Sequence, residues 1–520
     1  MRSLGSKANF QADRAAVAPL DPDICYRALS ARDPRFDGRF FVAVSTTKIY
    51  CRPICPARTP HRDHVTFYPT AAAAQEAGYR PCLRCRPETA PNIGAWRGTS
   101  NTVSRALTLI DAGGLDDEDV EGLATRLGIG GRQLRRLFDE HVGASPLAVA
   151  QTRRVLLAKQ LIHETGLPMV EIAHTAGFGS VRRFNDTFHR LFGRPPSALR
   201  RRGAGRDGSA LELTLAYRPP YDWDAIIGFL AARAIPGIET VKPNLYRRTF
   251  AGGTVAVSHE PVRRRLRVAV RLGDVAQLPS ILTRVRRVFD LGADPDAIAA
   301  HLSLDPALTS LVARRPGLRV PGGWDGFEMA VRAVIGQQIT IAGARQLLGK
   351  LVGAYGASID GGTDGLTHVF PAPARLVDAD IASLGMPRAR GAAISNVARA
   401  ALADPALFER GASLDDGIAK LCAVAGIGDW TAHYIAIRAM REPDAFPSSD
   451  IGLLRALAEN GVRPTPKEVL ARAEAWRPWR AYAAQHLWTH DFAPPPAKEK
   501  KIETHARTVA VADRNHPARL

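Results

Sequence analysis

Four of the chain's six cysteines fall into two close pairs, Cys51-x3-Cys55 and Cys82-x2-Cys85, with 26 residues between the pairs. Each pair can span one edge of a tetrahedron and the segment between them can fold back, so the spacing predicts one zinc ion held by Cys51, Cys55, Cys82 and Cys85. In a reducing compartment such a pattern reads as metal rather than disulfide. It also constrains the fold, because a unit under about 80 residues leans on a metal for stability. With a strand-like run at 39–44 leading into the first pair, residues 21–98 are expected to form a small α+β zinc domain.

A chain of 520 residues exceeds one ordinary core, so further domains must follow. Its 70 Lys and Arg against 51 Asp and Glu leave a net charge of +19, a field that attracts polyanions, nucleic acid first among them. No apolar run reaches spanning length and residues 1–20 lack a hydrophobic leader core, so no membrane role is expected and the location should be cytoplasmic, on the nucleoid. Residues 1–20 read as a flexible arm, 99–200 as all helical, 201–208 as a Gly/Arg-rich linker and 209–274 as α+β. Residues 275–492 read as mostly helical, and 493–520, opening on Pro494-Pro495-Pro496, as a disordered tail.

Within 99–200 the pattern of helix, glycine turn, helix occurs twice, turning at Gly128 to Gly131 and again at Gly177 to Gly179. Second helices starting near Gly131 and Ser180 would carry Arg132, Gln133, Arg135 and Arg136, and Arg182, Arg183 and Asn185, towards a major groove. This double helix-turn-helix, with its ending Phe192-Gly193-Arg194-Pro195-Pro196, resembles the AraC-type DNA-binding domain. The zinc segment resembles the methylphosphotriester methyltransferase domain of the adaptive-response (Ada) family through Ile49-Tyr50-Cys51-Arg52-Pro53, Cys55-Pro56-Ala57-Arg58, Val65-Thr66-Phe67-Tyr68 and Gly78-Tyr79-Arg80-Pro81-Cys82. That resemblance implies that Cys51 accepts a methyl group from a DNA phosphotriester, with Thr47, Arg58 and Arg80 as phosphate contacts.

In the C-terminal half, Gly426-Ile427-Gly428 makes a turn too tight for side chains at the start of a helical pattern, so backbone N–H groups there can face a phosphate. Asp450 follows a Pro-Ser-Ser segment one helix later. The stretch Gly426-Ile427-Gly428-x-Trp430-Thr431-Ala432-x-Tyr434 resembles the helix-hairpin-helix DNA glycosylases of the 3-methyladenine glycosylase II branch. The resemblance implies Asp450 as the catalytic carboxylate and Trp430, Tyr434 and Trp488 as walls for a flipped alkylated base, which electron-rich rings favour when it is cationic. Family members that cut the strand carry a lysine where Trp430 stands, so a monofunctional enzyme is expected. Phe327-Glu328 and Ile335 to Thr340 resemble the segment that wedges into the duplex, with Gln338 in place of an apolar wedge.

The fold class expected is multidomain: a zinc α+β domain, an all-α double helix-turn-helix domain, an α+β subdomain and a mostly α helix-hairpin-helix domain. The expected function is alkylation repair and response, coupling purine excision to methyl transfer and transcriptional activation, on double-stranded DNA and with RNA polymerase, by a monomer. Two alternatives stay open: a regulator with an inactive glycosylase fold, or a glycosylase with a purely structural zinc module. No Pro-Cys-His-Arg motif of the O6-alkylguanine acceptor domain occurs, so that activity is not expected.

Overall fold

The computed structural model describes residues 21–91, 101–116, 118–200, 210–359, 364–411 and 413–491. The expected arm 1–20, linker 201–208 and tail 493–520 lie outside the described residues.

The zinc unit opens with α1 (Pro22–Ala31), started by Asp21, whose carboxylate accepts the N–H groups of Asp23 and Ile24. Strands β1 (Phe41–Val44), β2 (Ile49–Cys51) and β3 (Val65–Tyr68), then α2 (Ala71–Glu76) and β4 (Arg80–Pro81), follow, the sheet running β3-β1-β2-β4. β2 and β4 are parallel, with Tyr50 opposite Pro81. Cys51 and Cys82 each follow one residue later, so this register alone brings the two cysteine pairs side by side.

The next unit is helical as expected: α3 (Asn101–Asp111), α4 (Val120–Arg126), α5 (Gly131–Val142), α6 (Pro146–Glu164), α7 (Met169–Thr175) and α8 (Val181–Phe192). Apolar residues at helical spacing, Leu134 and Phe138 on α5 and Phe184 and Phe188 on α8, are fully buried. That packing leaves the arginine-bearing faces of α5 and α8 exposed.

A five-stranded antiparallel sheet comes next, ordered β5-β9-β8-β7-β6. Its strands are β5 (Leu211–Ala216), β6 (Glu239–Lys242), β7 (Leu245–Phe250), β8 (Gly253–Glu260) and β9 (Arg265–Leu272), with α9 (Trp223–Arg233) after β5. β6 and β7 escape a pattern reading because their inward side chains include charges. Arg248, 2% exposed, pairs with Glu328 at 2.8 Å, and Arg332 joins Glu328 and Glu239 at 2.7 and 2.6 Å.

The remaining helices are α10 (Leu278–Val288), α11 (Pro295–Leu302), α12 (Pro306–Arg314), α13 (Gly326–Ile335), α14 (Ile341–Tyr355), α15 (Arg388–Ala403), α16 (Leu414–Cys422), α17 (Asp429–Ile435), α18 (Ile451–Ala456), α19 (Pro466–Ala473) and α20 (Arg480–Asp491). A two-stranded ladder, β10 (Ala357–Ser358) with β11 (His368–Val369), interrupts this otherwise helical part. Trp476, Trp479 and Tyr482 pack in its core. No described helix is long and apolar enough to cross a membrane.

Buried polar contacts join the parts. Glu88, after the second cysteine pair, meets Lys159 and His163 of α6, and all three side chains are at most 3% exposed. At the next residue, Glu164 accepts from Arg86 at 2.6 Å and from the backbone N–H and hydroxyl of Thr214 on β5 at 3.2 and 2.9 Å. α6 thus touches the zinc loop and the sheet at once.

Candidate functional site

Asp450 is the N-cap of α18, its Oδ1 accepting from the N–H groups of Gly452 and Leu453 at 2.9 and 3.1 Å. Two indoles converge on the same carboxylate: Trp430 Nε1 donates to Oδ2 at 2.7 Å and Trp488 Nε1 to Oδ1 at 2.8 Å. Trp430 and Tyr434, one helical turn apart on α17, stack at 5.3 Å with an interplanar angle of 8°. Trp488 on α20 meets Tyr434 edge-on at 6.2 Å. The sequence-expected quartet is therefore one cluster, half-buried and aromatic-walled, with a carboxylate pinned by four N–H donors, three on Oδ1 and one on Oδ2.

Sequence reasoning missed two arginines beside these walls. Arg438, in the π-helical turn Ala436–Met440, lies 5.3 Å from the ring centroids of both Tyr434 and Trp488, and Arg233 lies 3.9 Å over Phe229. Burial pushes the Tyr434 phenol up, but Arg438 and Arg233 outweigh it and hold it below its ordinary value. Spacing carried a signal: 430, 434 and 438 fall at i, i+4 and i+8 of one helical face. His433 is a satisfied polar residue, its Nδ1 accepting from the Phe446 N–H at 3.2 Å, and burial lowers its pKa. His486 is buried and pushed down to about 4 by that burial.

At the hairpin, Gly426 has φ +99° and an added Cβ would stand 2.3 Å from Ala393 Cβ, so only glycine fits. Gly428 is the N-cap of α17 and offers no side chain to the first-turn N–H groups, while the exposed Asp429 begins the helix. Gln337 Nε2 donates to Gly426 O at 3.2 Å and to Thr431 Oγ1 at 3.0 Å, fastening the α13–α14 turn to the hairpin. Gln338 is the exposed tip of that turn, held at φ +55°, a costly conformation for a residue with a Cβ. Phe327 and Glu328, grouped with this segment by resemblance, are 7% and 3% exposed; Glu328 belongs to the buried ion cluster with Arg248 and Arg332, not to a DNA-facing surface.

In the zinc unit the Sγ atoms of Cys51, Cys55, Cys82 and Cys85 all lie within 4.8 Å of one another. A zinc ion with Zn–S distances of about 2.3 Å needs sulfur separations of about 3.8 Å, so the four thiols fit the ion with a small inward adjustment. Three of them are buried, whereas Cys51 is half-buried. The Arg52 N–H donates to Cys85 Sγ and the Arg84 N–H to Cys82 Sγ, both at 3.3 Å; among the described residues no N–H donor reaches Cys51 Sγ. Thr47 and Arg58 are exposed near the cluster and Arg80 is half-buried. The Arg52 guanidinium is bound to Asp37 and Thr89 and so is structural.

On the regulatory helices, Arg132, Gln133, Arg182, Arg183 and Asn185 are exposed. Arg135 is exposed but engaged with Glu121 at 2.9 Å.

These sites define a class: a zinc-binding, helix-turn-helix DNA-binding regulator joined to a DNA-repair glycosylase fold. Family models agree, with the metal binding domain of Ada matching 24–88, a helix-turn-helix domain 123–202 and the AlkA N-terminal domain 212–325. The chain belongs to the family of bifunctional transcriptional activator/DNA repair enzymes, being 43% identical over 492 residues, 92% of this chain and 99% of that protein, to the probable bifunctional transcriptional activator/DNA repair enzyme AlkA of Mycobacterium tuberculosis. It is also similar to the DNA-3-methyladenine glycosylase 2 of Escherichia coli, 35% identical over 53% of this chain and 96% of that protein. The bifunctional transcriptional activator/DNA repair enzyme Ada of the same organism is 38% identical over 26% of this chain and 37% of that protein. The protein is accordingly a zinc-binding, DNA-binding enzyme of repair and transcriptional regulation.

Proposed function

We propose that the protein excises alkylated purines with Asp450 and records phosphotriester damage on Cys51, dividing its domains at 98/99, 200/201, 208/209 and 274/275. The observation that carries the glycosylase reading is the convergence of the Trp430 and Trp488 indoles on the Asp450 carboxylate. A flipped base stacks on the rings while Asp450 faces the sugar. The C1′–N bond breaks with its electron pair leaving on the base. Positive charge developing at C1′ is stabilised by the carboxylate, and a water oxygen then bonds to C1′ and releases a proton. Four N–H donors hold the Asp450 carboxylate in place and aim it. Because Trp430 carries no amine, no Schiff base forms and the strand stays uncut. Gly426 to Asp429 would grip the DNA backbone and Gln338 would fill the gap left by the base.

In the zinc unit, an ion held by Cys51, Cys55, Cys82 and Cys85 would keep these ligands as thiolates at neutral pH. Cys51 Sγ attacks the methyl carbon, the O–CH3 bond breaks with its electrons staying on the phosphate oxygen, and a thioether forms. Cys51 suits this task because it is the least buried of the four, half-buried where Cys55, Cys82 and Cys85 are buried, so its sulfur is the one most open to a phosphotriester. Thr47, Arg58 and Arg80 would meet the phosphate. The cluster loses one negative charge on methylation, which weakens its repulsion of DNA and favours promoter binding by Arg132, Arg135, Arg182 and Arg183, with recruitment of RNA polymerase by the monomer.

The test uses duplex DNA carrying alkylated purines and methylphosphotriesters. Free base, an uncut abasic strand, no borohydride-trapped adduct and one methyl per protein on the Cys51 peptide are expected. A trapped adduct would overturn the monofunctional mechanism, and methyl on another cysteine, or on none, would overturn the role of Cys51.

A further inference from the structure

Arg438 is 2% exposed, yet its hydrogen bonds among the described residues go to a backbone carbonyl and a side-chain amide rather than to a carboxylate. Its Nη1 donates to Pro321 O at 2.8 Å and its Nη2 to Gln485 Oε1 at 3.0 Å, both uncharged, and its Nε has no acceptor. Buried guanidinium groups are ordinarily paired, because an uncompensated charge in the interior is costly. Burial lowers its pKa to about 10, so it stays charged at neutral pH. Its position is specific. With 5.3 Å to the Tyr434 ring, 5.3 Å to the Trp488 ring and 6.2 Å between the rings, the cation sits at the apex of a nearly equilateral triangle, over both rings at once.

We propose that Arg438 is a specificity-determining residue of the base pocket, one that favours neutral damaged bases relative to cationic ones. The inference rests on the reading of Trp430, Tyr434 and Trp488 as the base pocket. Aromatic walls by themselves favour a cationic base. A fixed positive charge over two of those walls opposes that preference. As the C1′–N bond breaks, the electron pair stays on the base. A cationic alkylated purine therefore departs neutral and gains little from Arg438, having been repelled on entry. A neutral base departs with negative charge, later neutralised by a proton from solvent, and meets no repulsion on entry. The cation thus lowers the barrier measured from free enzyme and substrate chiefly for the neutral class. Arg233, over Phe229 and acting on the same tyrosine, adds a second charge of the same sign.

The test compares kcat/KM for release of hypoxanthine, a neutral base, and 7-methylguanine, a cationic one, from matched duplexes by the full-length protein. For Arg438→Met the ratio of hypoxanthine to 7-methylguanine release is expected to fall about tenfold, as for a unit charge several ångströms away in a medium of intermediate dielectric. Arg438→Lys should recover most of the ratio, and Arg233→Met, which removes a less buried cation, should shift it in the same direction. A merely structural arginine would change both substrates alike, so an unchanged ratio in both methionine variants overturns the proposal. An intact protein that releases neither base overturns the pocket reading beneath it, and the proposal with it.

Discussion

Lys159 Nζ donates across 3.0 Å to the backbone carbonyl of Cys82, so the central helix of the regulatory unit is bonded to the loop that carries a zinc ligand. The same ammonium meets Glu88, and both side chains are at most 1% exposed. Replacing Lys159 by Met removes one partner of a buried pair and leaves a carboxylate short of compensation, which costs about 3 kcal/mol. Thermal unfolding of the full-length protein should show the zinc and helix-turn-helix units melting together in the parent and separately, at lower temperature, in Lys159→Met. An unshifted single transition would contradict the coupling.

The same cluster sets an acid limit. Burial pushes the Glu88 carboxyl up, but His163, Lys159 and Arg86 outweigh it and hold it at about 2, below the ordinary 4.5. A folded-state pKa below the unfolded one contributes stability that is complete above about 4.5 and is lost as the pH falls towards 2. His163 acts in the same direction, since burial lowers its pKa and protonation of the unfolded chain then favours unfolding below its ordinary 6.5. Stability measured against pH should fall through this acid window, and Glu88→Gln should flatten the part below 4.5.

Trp488→Phe keeps an aromatic wall but removes the N–H that reaches Asp450 Oδ1 at 2.8 Å. One hydrogen bond to a charged group is worth about 1.5–3 kcal/mol, so kcat for base release should fall at least about tenfold. KM should change little. A fall in KM-dependent binding alone would mean that the indole serves only as a wall.

The four thiols are not equivalent, and zinc separates their roles. Cys55→Ser and Cys82→Ser, at buried positions, should lose zinc and the β2–β4 register with it, seen as loss of bound metal and of zinc-domain structure. Cys51→Ser, at the half-buried corner, should retain more metal than either and lose methyl acceptance entirely. Equal metal loss in all three would favour a purely structural module.

The parts of this protein that were legible in its sequence are those fixed by local rules. Cysteine spacing gave the zinc cluster, glycine turns marked both helix-turn-helix units, and Gly426 was recognisable from its Gly-x-Gly turn, where the structure shows that a Cβ would collide with Ala393. Asp450, Trp430, Tyr434 and Trp488 came from resemblance, and the fold brings them together. What stayed hidden are charges inside the protein. Arg248 and Glu328, Glu88 and Lys159, and Arg438 all read as solvated surface in a sequence, because their partners come from 71 or more residues away or, for Arg438, are neutral groups and rings. Strands β6 and β7 were missed for the same reason, their inward arginine breaking the apolar alternation.

The most direct test of the central claim is release of 3-methyladenine from methylated duplex DNA by the intact protein and by Asp450→Asn. Asparagine can still cap α18, so the fold should survive while the negative charge at the sugar is lost. The account predicts release by the intact protein and a loss of about a hundredfold or more in the variant. Equal release by the two would contradict the role of Asp450, and none from the intact protein would leave the zinc sensor and regulator as the protein's working parts.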